Sequence, residues 1–413
     1  MEGRWPERAL TANPKSAHRP LPWSSGKLVE AVSQSVPGRR RKESRLDQAD
    51  PSQPTALPRP PGTRSATPAP TPDRRQGRSE GQARYYAARV PAQVEQLLFE
   101  VKRLIVGQDR MLERILIALL AGGHVLLEGV PGLAKTATIK AFARSIGGQA
   151  GRIQFTPDLV PADLVGTRIY NPATHQFTTE LGPVFCNLLL ADEINRAPAK
   201  VQSALLEVMQ EQQVTIGRET FEVPQPFLVL ATQNPIETDG TYPLPEAQID
   251  RFMFKVLVGY PSFPEEVVVV QRVTGDAIEL RQVVSVEQLR EMQRSVAEVY
   301  VDPAVVTYAA TLASATRNPT QMGLAEFASA IAFGASPRAS INLVAASRAL
   351  AFIRGRKYVL PMDIADVAPE VLRHRLVLSY EGIASGVSAE HIVTRVLQRY
   401  PPPRMDLGDR IAT

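Results

Sequence analysis

The octapeptide Gly129-Val130-Pro131-Gly132-Leu133-Ala134-Lys135-Thr136 concentrates chemically capable residues more than any other stretch of the chain. Its glycines let the backbone curl until successive N–H groups converge on one point, the arrangement that holds a phosphate. Lys135 can then reach the outer phosphates of a nucleotide, and the Thr136 hydroxyl can take a coordination position on Mg²⁺. The strict form of this loop has Gly where this chain has Ala134, a small departure that leaves room for the backbone. A second set is the adjacent pair Asp192-Glu193. Asp192 suits Mg²⁺ or its water, and Glu193 suits the orientation and activation of an attacking water. Asn234, inside Gln233-Asn234-Pro235, has an amide that could hold that water against a γ-phosphate, although Asn before Pro is also an ordinary turn former.

These residues work only if the chain positions them. The loop follows an apolar strand, His124 to Glu128, and precedes a helical pattern, which is the strand, loop, helix order that a P-loop requires. Asn187 to Asp192 is a second apolar strand that ends at the two acids, and Phe227 to Thr232 is a third that leads to Asn234. Ligands sit at the carboxyl ends of such strands in a parallel sheet. Upstream, Val94 to Ile105 and Met111 to Leu120 repeat apolar residues at helical spacing, and Gly122-Gly123 reads as a C-cap. The intervening Val106-Gly107-Gln108 reads as a helix-linking turn. Beyond Pro261 the strands stop, and four helical stretches follow: Val286 to Val299, Pro303 to Ala315, Ile341 to Ile353 and Met362 to Leu372. Ser336-Pro337-Arg338 opens the third with Ser as N-cap and Pro at the first position. Arg338 then lies in a first turn, where the helix dipole disfavours a cation unless an anion is near.

In this order the motifs resemble the MoxR family of AAA+ ATPases: Gly-x-Pro-Gly-x-Ala-Lys-Thr, Leu-x-Ala-Asp-Glu-Ile-Asn-Arg-Ala, Ala-Thr-Gln-Asn-Pro and Leu-Pro-Glu-Ala-Gln-x-Asp-Arg-Phe, across roughly residues 91 to 400. The resemblance implies an α/β fold, an AAA+ P-loop core whose parallel sheet is flanked by helices, followed by a small all-helical lid. It implies ATP and Mg²⁺ as ligands, with residues 129–136 as Walker A, Asp192 and Glu193 as Walker B and Asn234 as sensor 1. It also implies that Arg251 is a finger acting on a neighbouring subunit's γ-phosphate, that Arg338 is the sensor 2 arginine, which contacts the nucleotide from the lid, and that Val106-Gly107-Gln108 stands where the adenine is cradled. A planar, permanently charged guanidinium suits such a finger, whose effect on rate is about 10³–10⁵. A ring of identical chains, a hexamer, is the expected assembly. Domain limits expected on this basis are 83–260 for the core and 261–400 for the lid, with a tail at 401–413.

Two segments between these motifs read as hairpins. One spans Gly166 to Leu181 and the other Gln213 to Val223. Related AAA+ proteins use hairpins at these places to line a pore or face a substrate, so Tyr170, Phe177 and Arg218 are expected on the working surface.

Composition narrows the alternatives. Of 47 Lys and Arg and 42 Asp and Glu in 413 residues, residues 1–80 hold 15 and 8, so the basic character belongs to the N-terminal stretch and the remainder is slightly acidic. Residues 1–82 are rich in Pro, Ser and Arg and poor in branched apolar side chains, a composition expected to be disordered. A nucleic-acid motor is therefore disfavoured, because the expected folded part has no basic surplus and no DNA-binding module follows the lid. The lone Cys186 excludes an intramolecular disulfide framework and reads as a buried small hydrophobe, and the five histidines lack ligand spacing. No stretch approaches the roughly 20 apolar residues of a membrane span, and a cytoplasmic location is expected. The function expected is ATP-driven remodelling or maturation of a protein partner, such as a von Willebrand A-type protein or a larger complex. The ATPase subunit of a metal chelatase is the alternative.

Overall fold

The computed structural model describes residues 91–130, 132–235 and 240–404. Pro131, the expected disordered stretch at 1–82 and most of the expected C-terminal tail lie outside them.

Helices α1 (Ala92–Leu104) and α2 (Asp109–Ala121) form where apolar side chains recur every three or four residues. The turn between them holds Gly107 and Gln108 in left-handed conformations, φ 63° and 56°, and the Gln108 side chain donates to the carbonyl of Gly259 at 2.9 Å. Strand β1 (Val125–Glu128) follows, then α3 (Lys135–Ile146), whose first residue is the loop's lysine. Strand β2 (Ala150–Gln154) has a single buried residue, Ile153, so no apolar run announces it. A short helix α4 (Pro161–Val165) leads into the hairpin β3 (Gly166–Asn171) and β4 (Gln176–Leu181). Strand β5 (Leu188–Asp192) ends at the paired acids, and α5 (Ala199–Glu211) precedes the second hairpin, β6 (Gln213–Ile216) with β7 (Glu219–Glu222). Strand β8 (Leu228–Gln233), the one-turn helix α6 (Glu246–Ile249) and β9 (Phe254–Leu257) complete this part.

The sheet runs β2-β5-β8-β1-β9 with every pair parallel. Central strands covered on both faces need continuous apolar sequence, and Leu188, Leu189 and Leu190 of β5 are all fully buried. Burying each such side chain contributes about 1.5–3 kcal/mol before chain entropy is counted. The register places Gln154 beside Asp192 and Glu128 beside Gln233, so the carboxyl ends of β1, β2, β5 and β8 form one edge.

The second part contains α7 (Phe263–Thr274), α8 (Val286–Ala297), α9 (Pro303–Arg317), β10 (Ile331–Phe333), α10 (Pro337–Ile353), α11 (Pro361–Leu372), β11 (Val377–Leu378), α12 (Tyr380–Ala384) and α13 (Ala389–Arg399). It is predominantly helical as expected, with one addition: β10 and β11 pair as a small antiparallel ribbon. Ser336 caps α10 as expected, its hydroxyl accepting from the Arg338 N–H at 3.2 Å. A charged cluster joins α10 and α11 to α2. The fully buried Arg114 of α2 donates to Asp366 Oδ1 and to Glu113, both at 2.7 Å, and lies 3.5 Å from Glu370. Arg356 reaches Asp363, itself fully buried, at 2.6 Å, and Arg354 bonds both Asp363 and Asp366. Burial opposes ionisation of Asp366, yet Arg114 and Arg354 hold its carboxyl below the ordinary range.

Candidate functional site

At the shared edge of the sheet lies a cleft of about 440 Å³. Gly129, Gly132, Leu133, Ala134, Lys135, Thr136, Asp192, Glu193 and Asn234 line it, so the structure brings together most of the residues that the sequence proposes. Val130 turns inward and packs against the apolar core. Gly129 is required by space, because a Cβ there would meet the Val258 carbonyl at 2.5 Å. Ala134 takes φ 54°, the left-handed region that favours glycine, and its carbonyl accepts from the Thr138 hydroxyl at 3.0 Å.

Lys135 Nζ donates to the Gly129 carbonyl at 2.7 Å, which folds the loop around its own lysine. Burial pulls the ammonium below its ordinary pKa, and Asp192 and Glu193 pull it back up. Asp192 accepts from the Thr232 hydroxyl at 2.7 Å through one oxygen and from Arg152 at 2.9 Å through the other. Thr232 also accepts the Glu193 N–H at 2.8 Å, so one buried hydroxyl ties both acids to β8. Glu193 itself is left-handed, φ 56°. Its carboxylate accepts from Gln154 at 2.9 Å and from Arg196 at 3.0 Å. Thr136 and Asp192, a hydroxyl and a carboxylate on one cleft, fit the hard oxygen donor set that Mg²⁺ selects. Asn234 is buried at the carboxyl end of β8, on the cleft wall.

The other two expected residues are elsewhere. Neither Arg251 nor Arg338 lines the cleft. Arg251 follows α6, donates through Nη1 to the Leu206 carbonyl at 2.9 Å, and keeps a buried Nε without a partner. Arg338 pairs with Asp250 at 3.2 Å, immediately beside Arg251 in sequence. Asp250 also accepts from Ser336 Oγ at 2.9 Å and from Arg375 Nε at 2.8 Å. Arg375 has no exposed side-chain surface. Its Nη2 donates to the carbonyls of Asp250 and Phe252 at 2.9 and 2.7 Å, and its Nη1 to those of Met253, at 3.4 Å, and Val371. All five guanidinium N–H groups thereby have an acceptor. Burial pulls this guanidinium down to about 10, which leaves it charged at neutral pH.

The expected surface hairpins form. Tyr170 pairs with Phe177 across β3 and β4, their rings 5.2 Å apart, and both are about half exposed. Arg168 stacks on Phe177 at 5.1 Å and its stem lies against Gly217 in the β6–β7 turn, so the two hairpins abut. Arg218 is exposed in that turn. Cys186 is buried, and burial pushes its thiol up to about 11.

Residues 124–254 match the ATPase family associated with various cellular activities, AAA, and residues 325–396 match the AAA lid domain. Chaperone MoxR1 of Mycobacterium tuberculosis is 54% identical over 346 residues, 84% of this chain and 90% of that protein. The chain belongs to the MoxR family of AAA+ ATPases. Protein MoxR of Paracoccus denitrificans is 35% identical over 294 residues, 67% of this chain and 86% of that protein. A solved structure of a Cytophaga hutchinsonii protein assigned as an ATPase superposes with a TM-score of 0.72 at 45% identity, covering 80% of this chain and 99% of that one. As a MoxR-family member the chain is a nucleotide-binding ATPase. Among its described residues no helix is long and apolar enough to cross a membrane.

Proposed function

We propose that this MoxR-family chain works as a Mg²⁺-dependent ring, hydrolysing ATP between subunits to remodel or mature a protein partner in the cytoplasm. The observation that carries the reading is the separation of the two arginines from the cleft: the chain's own phosphate site has its lysine, acids and amide, while Arg251 and Arg338 stand together elsewhere. In this reading residues 83–260 form the core and 261–400 the lid. The backbone of residues 129–136 and Lys135 hold the phosphates, and Glu193 and Asn234 orient the attacking water. Thr136 and Asp192 hold Mg²⁺, which neutralises charge on the phosphates when bound. Arg251 and Arg338 of a neighbouring chain complete the site by stabilising charge that develops on the transferred phosphoryl group.

The test is the ATP hydrolysis rate per subunit over a wide range of protein concentration, with Glu193→Gln and Arg251→Ala alongside. The rate should climb with concentration and collapse in both variants. A flat rate indifferent to Arg251→Ala rules out the ring mechanism.

The abutting hairpins supply the surface for the partner. Tyr170 and Phe177 are aromatic, exposed and held by backbone pairing rather than by a core, which suits contact with another protein. Replacing both with Ala should leave basal hydrolysis intact and remove stimulation by a partner. Surviving stimulation refutes that assignment.

A further inference from the structure

The finger segment is held in place by a residue of the helical lid. Asp250, Arg251 and Phe252 are consecutive, and the carbonyls on both sides of Arg251 accept from the guanidinium of Arg375, 125 residues further along the chain. The same guanidinium bonds the Asp250 carboxylate, and that carboxylate in turn holds Arg338. One buried side chain therefore fixes Arg251 through its backbone and Arg338 through a shared acid. A planar fork with five fixed donors can clamp a backbone in this way, whereas a lysine offers three donors from one atom. The neighbouring His374 adds a contact to the Phe252 carbonyl at 3.1 Å. The clamp is attached to the lid, just past the end of α11, so a displacement of the lid is passed to both arginines together.

We propose that Arg375, acting through Asp250, is the positioning residue for the arginine pair, and that it lets the lid of one subunit set the hydrolysis rate of the next. This rests on the reading in which Arg251 acts on a neighbouring subunit. Arg375 touches neither nucleotide nor water in this account. Its loss should lower turnover while leaving nucleotide binding in the same subunit untouched. A misplacement of about 1 Å in a positioned group lowers a rate by about 10²-fold, so Arg375→Gln should lower kcat by about 10–100-fold with the KM for ATP within twofold. That is a smaller loss than the one expected for Arg251→Ala.

The deciding experiment mixes full-length variants. Lys135→Ala lacks a working phosphate site and keeps its arginines, whereas Arg375→Gln keeps its phosphate site and has misplaced arginines. In a randomly mixed one-to-one ring about a quarter of the head-to-tail interfaces join an intact cleft to an intact arginine pair. The mixture should therefore recover about a quarter of the wild-type rate, as should Arg251→Ala mixed with Lys135→Ala. Recovery by the Arg251→Ala mixture without recovery by the Arg375→Gln mixture overturns the positioning role, because a general folding defect or an effect within one subunit is not complemented. Failure of both mixtures overturns the trans reading and this proposal with it. If Arg375→Gln does not fold, Asp250→Asn decides by the same mixture, since it leaves the carbonyl acceptors of Arg375 in place and removes only the shared charge.

Discussion

Replacing Thr232 with Val should slow hydrolysis without loosening the nucleotide, and the structure sets the size of the effect. The Thr232 side chain is buried, donates to Asp192 at 2.7 Å and accepts the Glu193 N–H at 2.8 Å. Valine keeps the shape and removes both bonds. An unsatisfied buried donor costs about 1–3 kcal/mol, and a hydrogen bond to a charged group contributes about 1.5–3 kcal/mol. Asp192 keeps Arg152 and some exposure to water, so the two do not simply add, and a loss of about 2–4 kcal/mol in folding stability is expected. Glu193 occupies a left-handed conformation that costs a non-glycine residue about 1–2 kcal/mol. Once the bond that holds it is gone, the backbone relaxes and carries the carboxylate with it, and a shift near 1 Å corresponds to a fall in kcat of up to about 10²-fold. Turnover, equilibrium nucleotide binding and urea unfolding should be measured for wild type, Thr232→Val and Thr232→Ser. Unfolding should be followed by circular dichroism, since both tryptophans, Trp5 and Trp23, lie outside the described residues. Serine should restore turnover because it restores the hydroxyl. A valine variant with unchanged turnover and stability, or a serine variant as poor as valine, refutes the reasoning.

Three further outcomes are expected. His124 is buried with its pKa pushed down to about 4, so unfolding takes up a proton between pH 4 and 6.5 and stability falls as the pH drops through that window. Urea unfolding at pH 5 should give about 2 kcal/mol less than at pH 7.5 from this residue, and His374, shifted in the same direction, should steepen the loss; an unchanged stability contradicts both assignments. Arg114→Met removes the buried guanidinium that bonds Asp366 and Glu113, and because Arg354 still holds Asp366 and Arg110 still holds Glu370, the loss should not exceed the roughly 3–5 kcal/mol of a broken buried pair; the loss should be smaller than additive when combined with Asp366→Asn, and strictly additive losses would show that the pair is not coupled. Ala134→Gly removes a Cβ from a left-handed position and should raise stability by about 0.5–1 kcal/mol with hydrolysis retained; a destabilised variant would show that the loop carries no such strain.

The parts of the site readable in advance are those written in local chemistry. Continuous apolar runs marked β5 and β8, glycines marked the loop, and a Ser-Pro pair marked the start of α10. Arg152 and Gln154 escaped because β2 is an edge strand with one buried side chain, which leaves no alternation to detect. Thr232 read as one more residue of a buried strand; its signal was a hydroxyl inside an otherwise apolar run, one position before the strand ends. Asp250 and Arg375 could not be paired from spacing, because only the tertiary fold brings the end of α6 to the turn after α11. The ribbon of β10 and β11 has strands of three and two residues, too short to carry a period. Helix α7 was not among the expected helical stretches either. Its Phe263, Val267, Val270 and Val273 have the spacing of a core helix, yet no residue of α7 is buried and these four are exposed.

The charged cluster around Arg114 bears on how such a protein can be taken apart. Helix α2 lies early in the chain, but apart from its own Glu113 the Arg114 guanidinium finds its acceptors on α11, some 250 residues later. A fragment ending near residue 260 would display that guanidinium stripped of Asp366 and Glu370. A fragment beginning there would carry the same acids with Arg110 and Arg114 missing. Each piece would carry part of a charge cluster without its partners, so a cut there should destabilise both. A graft of the helical part from one relative onto the core of another should succeed only when α2 travels with α10 and α11. The unit of exchange is thus discontinuous in sequence, and a cut placed at the visible change from strands to helices would miss it.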